Sequence, residues 1–173
     1  MARLALGESA PPFDLPGVDG KTHELSDYEG QPVAVVFSCC HCPYVVAWED
    51  RLNAVARDYA GRAGLVVVNS NAGYIGDSFE DMERRSKEKG FLFPFVYDET
   101  QETARDYTAA RTPEVFVFDA SHRLVYRGAP DADHQDPSED ARYLRDALDA
   151  TLNGGKPGAS ETPAVGCTIK WRT

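Results

Sequence analysis

The fold is decided by residues 33–45, which read Val33-Ala34-Val35-Val36-Phe37-Ser38-Cys39-Cys40-His41-Cys42-Pro43-Tyr44-Val45. The first five of them are apolar and mostly β-branched, a composition typical of a central strand that is covered on both faces. From Pro43 onward, apolar residues recur at steps of three and four, which indicates an amphipathic helix ending near Gly61. The stretch therefore predicts a buried strand that leads directly into a helix, with three cysteines at the junction.

The spacing of these cysteines indicates redox chemistry. Cys39 and Cys42 stand at i and i+3, which brings their sulfurs to one side of the first helical turn, where they can form a disulfide and reopen it. The dipole and free N–H groups of a helix start favour an anion, so we expect the Cys39 thiol to be acidified, more so if His41 is protonated. Cys40 is interpreted as an ordinary thiol that can react off the main pathway, because a disulfide to its neighbour Cys39 needs a strained peptide.

Outside this stretch, predicted strands and helices alternate. The Asp19-Gly20 turn signal predicts a hairpin over residues 12–25. Helices are predicted to start at two capping motifs, Asp77 with Glu80 and Asp136 with Pro137. Further strands are predicted at residues 65–69, 93–97, 114–118 and 124–127, and a short helix at residues 102–110. This order predicts an α/β fold with a central mixed β-sheet flanked by helices and an N-terminal hairpin.

The C-terminal segment differs in composition from the rest of the chain. Residues 1–153 are predicted to form one domain, since a chain of 173 residues is close to the usual size of a single domain. Residues 154–173 begin as a Gly/Pro linker and end in an apolar stretch, which we expect to dock on the domain because its exposure would forfeit burial energy. We expect Cys167 in this stretch to approach Cys39 and Cys42 and act as a third redox thiol. The alternative is that Cys167 is only a small buried hydrophobic residue.

The overall charge and composition exclude several classes of function. Lys and Arg total 18 against 28 Asp and Glu, a net charge of -10, so the surface field repels nucleic acid and anionic lipid. Apolar runs are far shorter than a membrane helix requires, which predicts no membrane partner. The N-terminal residues reach Glu8 before any apolar signal region, which predicts a cytoplasmic location. No cofactor is expected, and no metal site is predicted because the cysteines lack a second ligand pair at zinc or copper(I) spacing.

Three motifs together resemble a known family. They are Val35 to Val45, Thr-Pro-Glu-Val-Phe-Val-Phe at residues 112–118, and Gly-Glu-Ser-Ala-Pro-Pro-Phe-Asp-Leu at residues 7–15. Over residues 7–171 the chain resembles the thioredoxin superfamily, and within it the peroxiredoxin-like proteins related to alkyl hydroperoxide reductase and thiol-specific antioxidant. Thr112-Pro113, at the start of a predicted strand, is a plausible cis peptide.

The resemblance implies a thioredoxin-like fold and thiol–disulfide oxidoreductase activity. It implies that Cys39 attacks a disulfide, that Cys42 resolves the mixed disulfide, and that Thr112 beside a cis Pro113 offers its backbone to the substrate. The implied partners are a disulfide-containing protein or small thiol as substrate and a thiol reductant. The alternatives are a peroxide reductase using Cys39 and a metal carrier using the same thiols.

Two departures from the family pattern bear on activity. Peroxide-reducing relatives carry Thr or Ser three residues before the reactive cysteine, whereas Val36 stands three residues before Cys39 here, so weak hydroperoxide activity is predicted. The strand at residues 33–37 also lacks the buried acid that many thioredoxins use to move a proton at the second cysteine. A histidine at position 41 should stabilise a thiolate and make the couple more oxidising.

Overall fold

The structure is a computed structural model that describes residues 2–172. The strands are β1 (Asp14–Pro16), β2 (Thr22–Glu24), β3 (Val33–Ser38), β4 (Gly64–Asn69), β5 (Phe95–Tyr97), β6 (Arg111–Thr112), β7 (Glu114–Phe118), β8 (Leu124–Gly128) and β9 (Cys167–Thr168). The α-helices are α1 (Pro43–Asp58), α2 (Phe79–Lys89), α3 (Glu102–Tyr107) and α4 (Arg142–Leu152). Two short 3-10 helices cover Leu25–Tyr28 and Pro137–Glu139.

The central sheet is mixed, and β3 lies in its middle. The strand order is β5-β4-β3-β7-β8, with β3 parallel to β4 and antiparallel to β7. Separately, β1 and β2 pair as an antiparallel hairpin. The predicted α/β architecture and the N-terminal hairpin are therefore confirmed.

The two faces of the sheet bury separate cores. Ala34 and Val36 of β3 face a cluster that includes residues of α1, α2 and α4, while Val33, Val35 and Phe37 face a cluster with α3 and the N-terminal segment. Both faces of β3 are thus covered, which is why its sequence is continuously apolar instead of alternating. The strand is rigidly packed along its length and delivers the cysteines to the edge of the core.

The two predicted helix caps were wrong in detail. Ser78, not Asp77, caps α2, and its capping box is completed by Asp81 instead of Glu80. Asp136 caps the 3-10 helix Pro137–Glu139, and α4 begins only at Arg142. Asp77 does not cap α2 because its carboxylate is buried and accepts a hydrogen bond from the Cys40 N–H at 2.7 Å.

The C-terminal segment returns to the domain and adds a short strand. β9 pairs antiparallel with β6, and Thr112 lies opposite Cys167. The Ile169 side chain enters the second core and is 3% exposed, whereas Val165 and Trp171 are 41% and 40% exposed. The apolar stretch therefore docks on the domain as expected, but its burial rests on Ile169 while Val165 and Trp171 stay partly exposed.

In residues 2–172 no helix combines the length and apolarity needed to cross a bilayer.

Candidate redox site

The cysteine cluster lies between the end of β3 at Ser38 and the start of α1 at Pro43. Cys42 is the N-cap residue of α1, in an extended backbone conformation. Pro43 follows it directly, which suits a first helical position because proline has no N–H to lose there. Cys39 and Cys42 are 4% and 5% exposed, so both sulfurs lie just beneath the surface.

Thr112 connects the cysteines across the fold. The Cys39 thiol donates to the Thr112 Oγ1 at 3.8 Å, and the Cys42 Sγ lies 3.6 Å from the Thr112 carbonyl oxygen. The Thr112 hydroxyl in turn donates to the Cys167 carbonyl oxygen at 3.4 Å. The Thr112–Pro113 peptide is cis, as the sequence suggested. Thr112 thus contacts three of the four cysteines, Cys39 and Cys42 at their sulfurs and Cys167 at its backbone carbonyl, and its hydroxyl lies beside Cys39.

The disulfide in the structure joins Cys42 to Cys167, while Cys39 and Cys40 are free thiols. The Cα atoms of the bonded pair lie 6.5 Å apart, within the range that a disulfide spans. The bond predicted from spacing, Cys39 to Cys42, is therefore not the one present. Pairing of β9 with β6 explains the difference, because it places Cys167 opposite Thr112, where the Cys42 sulfur also lies.

The expected acidification of Cys39 was wrong. Burial raises the pKa of the Cys39 thiol, and the nearby Asp77 carboxylate raises it further by repelling the thiolate. Hydrogen bonds from the Cys42 and His41 backbones and from the Thr112 hydroxyl act in the opposite direction but are weaker. The helix start lies at Cys42, three residues farther along, so Cys39 does not sit where the dipole acts most strongly. Cys40 behaves similarly, since burial and Asp77 raise its thiol pKa as well.

Asp77 is a buried acid beside the cysteines that the sequence analysis did not place there. Its side chain is fully buried and accepts hydrogen bonds from the Cys40 N–H and, at 3.3 Å, from the Asn71 side chain. The ring of His41 is half-exposed, stacks on Tyr74, and places its Nδ1 3.5 Å from the Asp77 Oδ2. The sequence signal was weak because Asp77 immediately precedes a helix cap and looks like part of it. The acid approaches the cysteines from the loop before α2, not from β3.

Among residues 2–172, no group of three or more His, Cys, Asp or Glu side chains is arranged to hold a metal ion.

Replacing Asp77 by asparagine is expected to increase the alkylation rate of Cys39 at neutral pH several-fold. Removing the carboxylate lowers the pKa of the thiol, so more reactive thiolate is present at any pH below that pKa, and the rate–pH curve moves to lower pH. The measurement is iodoacetamide labelling of the Cys42–Cys167 oxidised protein as a function of pH, followed by peptide mass spectrometry.

The matched control for this measurement is Asp146→Asn, which removes an exposed carboxylate from α4. Its rate–pH curve should coincide with that of the unmodified protein. An Asp77→Asn curve that also coincides would contradict the assigned role of this carboxylate.

Comparisons with known proteins show the family and the fold of this chain. The AhpC/TSA family model matches residues 6–127. The solved structure of an uncharacterized conserved protein from Geobacillus kaustophilus is 38% identical, with a TM-score of 0.90 over 98% of this chain and 93% of its own. The structure of a putative thiol:disulfide interchange protein DsbE from Chlorobium tepidum is 26% identical, with a TM-score of 0.64 over 72% of this chain and 84% of its own. The thiol-disulfide oxidoreductase ResA of Geobacillus thermodenitrificans is 24% identical over 124 residues, which are 70% of this chain and 67% of that protein.

Proposed function

We propose a three-cysteine exchange cycle for this chain, which belongs to the AhpC/TSA family and is a thiol–disulfide oxidoreductase. In this cycle Cys39 attacks the substrate disulfide, and Cys42 resolves the mixed disulfide that results. Cys167 then attacks Cys42 and forms the final disulfide with it. The observation that supports the proposal is the convergence of all three cysteines on Thr112. The Cys39 and Cys42 sulfurs both lie at Thr112, and the disulfide joins the Cys167 sulfur to Cys42, so the three sulfurs that exchange partners are close together in the oxidised protein.

The steps balance in atoms and electrons. The Cys39 thiolate attacks one sulfur of the substrate disulfide, and the other substrate sulfur leaves as a thiolate that takes up a proton. The Cys42 thiolate then attacks the Cys39 sulfur, which releases the second substrate thiol and forms a Cys39–Cys42 disulfide. Finally the Cys167 thiolate attacks the Cys42 sulfur, which frees Cys39 and forms the Cys42–Cys167 bond. Two electrons reach the substrate in each cycle.

The oxidised product of this cycle has the bonding pattern seen in the structure, with Cys42 joined to Cys167 and Cys39 free. Two equivalents of an external thiol, the unidentified reductant, return Cys42 and Cys167 to thiols. The substrate is a disulfide-containing protein or a small disulfide. His41 and Cys40 are proposed modulators that do not exchange electrons themselves. A cytoplasmic location stays a prediction from the sequence.

Cys42→Ser protein is expected to accumulate a long-lived mixed disulfide on Cys39, because the resolving thiol is absent while the attacking thiol remains. The measurement is intact-mass analysis after the reduced variant is mixed with a disulfide substrate, with peptide mapping to locate the adduct. A second variant, Cys42→Ser with Cys167→Ser, removes the remaining thiol of the cycle and should hold the adduct at least as long.

Cys40→Ser is the control for this trap, since it removes a free thiol beside Cys39 that the cycle does not use. It should accumulate no adduct. An adduct that maps to Cys40 instead of Cys39, or no adduct in either trapping variant, would overturn the assignment of Cys39 as the attacking cysteine.

A further inference from the structure

Two buried amide side chains bind the backbone of the C-terminal segment. The Lys170 N–H donates to the Asn71 Oδ1 at 2.9 Å, the Gln101 Nε2 donates to the Lys170 carbonyl oxygen at 2.9 Å, and the Arg172 N–H donates to the Gln101 Oε1 at 3.0 Å. Asn71 and Gln101 are 2% and 1% exposed. Because these amides contact main-chain atoms, which every peptide possesses, they recognise the path of the backbone and not a particular side chain.

The edge of β6, next to these two amides, also binds the backbone of the C-terminal segment. β6 pairs antiparallel with Cys167 and Thr168, and the Ile169 N–H donates to the Ala110 carbonyl oxygen at 3.1 Å. Asn71, Gln101 and the edge from Ala110 to Thr112 therefore line a continuous groove that holds the backbone of residues 166–172. We call this the tail groove.

The tail groove leaves no room for a side chain at Gly166, the residue before Cys167. A Cβ atom on Gly166 would lie 2.1 Å from the Thr112 carbonyl oxygen and 3.1 Å from the Pro113 nitrogen. Both obstacles are backbone atoms, so they cannot turn aside as a flexible side chain would. Glycine is consequently required immediately before a cysteine seated in this groove.

The C-terminal segment covers the cysteines when it occupies the groove. Cys39 and Cys42 are almost fully buried, and Cys167 packs against them. If the tail left, the Asn71 Oδ1 would lose its Lys170 donor and the Gln101 Oε1 its Arg172 donor, and both oxygens would be open to other N–H donors. An incoming peptide backbone would restore these bonds.

We propose that the tail groove is the docking surface for the substrate, a segment of another protein with glycine before its disulfide-bonded cysteine, and that the C-terminal segment occupies it as an internal competitor. This inference rests on the proposed function. Two external thiols reduce the Cys42–Cys167 disulfide, giving two protein thiols and an external disulfide, and the tail is then held only by non-covalent contacts. The substrate segment displaces the tail, the Cys39 thiolate attacks one sulfur of the substrate disulfide to form a mixed disulfide, and the other substrate sulfur leaves as a thiolate that takes up a proton.

The test uses a synthetic decapeptide with the sequence of residues 163–172, its cysteine carried as a mixed disulfide with thionitrobenzoate. A matched peptide replaces the glycine before the cysteine by alanine. Both are given to the reduced full-length protein and to its Gly166→Ala variant, whose own tail cannot seat in the groove. We expect the glycine peptide to release thionitrobenzoate at least about tenfold faster than the alanine peptide, a preference of about 1.4 kcal/mol. The Gly166→Ala variant should react faster than the unmodified protein, because its tail no longer competes.

Bis(2-hydroxyethyl) disulfide separates failure of the groove from failure of the activity, since it is too small to need backbone docking. Equal rates for the two peptides, while this small disulfide is still reduced, would overturn the groove and leave the exchange cycle in place. Loss of reactivity toward all three probes would overturn the cycle, and the groove proposal with it. The glycine preference is measured on the unmodified protein as well, so the result does not depend on the folding of Gly166→Ala.

Discussion

Cys39→Ser protein is expected to reduce disulfide substrates no faster than the uncatalysed background. A serine hydroxyl cannot form the mixed disulfide through which exchange proceeds, so the first step is lost, not slowed. The measurement is steady-state reduction of bis(2-hydroxyethyl) disulfide with glutathione as the reductant. Cys40→Ser, which removes the adjacent buried thiol, should retain most of the activity. Turnover by Cys39→Ser comparable to that of the unmodified protein would contradict the mechanism.

Hydrogen peroxide is a second substrate on which Cys39→Ser and the unmodified protein can be compared. The raised pKa of the Cys39 thiol leaves little thiolate at neutral pH, so peroxide consumption should be weak. The observation that favours a peroxide reductase is the Thr112 hydroxyl, 3.8 Å from the Cys39 sulfur, because it could bind a peroxide oxygen. Rapid peroxide consumption that disappears in Cys39→Ser would favour that alternative.

Glu114→Ala is expected to lower the free energy of unfolding by about 3–5 kcal/mol, the usual cost of leaving a buried charge without its partner. The Glu114 Oε2 lies 3.1 Å from the Arg127 guanidinium, and both side chains are almost fully buried. The Glu114 Oε1 also accepts hydrogen bonds from the Ala110 and Arg111 N–H groups at 2.8 and 3.1 Å. The substitution therefore removes both the charge partner of Arg127 and an anchor of β6, which carries Thr112.

Chemical denaturation measures the loss, and Glu161→Ala serves as its control. Glu161 forms an exposed ion pair with Arg3, so its removal should cost less than about 1 kcal/mol. If Glu114→Ala were as stable as Glu161→Ala, the buried Glu114–Arg127 pair would contribute no more to the free energy of unfolding than an exposed pair does.

Local pattern accounts for the parts of this protein that the sequence predicted correctly. The apolar run of β3, the amphipathic period of α1 and the Asp19-Gly20 turn each depend on neighbouring residues, and each is present in the structure. The cluster of cysteines where β3 passes into α1 was likewise evident, because a strand and the helix after it bring consecutive residues to one place. Fold class and the position of the redox centre follow from these local features.

Contacts between distant segments decided how the centre is bonded and charged. Cys42 and Cys167 are separated by 125 positions, and only the pairing of β9 with β6 brings them together. The loop before α2 carries Asp77 to the cysteines, where burial and the carboxylate together reverse the expected direction of the Cys39 pKa shift. Charge interactions act through space and depend on burial, so spacing along the chain cannot predict them. The sequence by itself determined the fold class and where three of the four cysteines cluster, and the tertiary structure decided which sulfurs pair and in which direction the thiol pKa values shift.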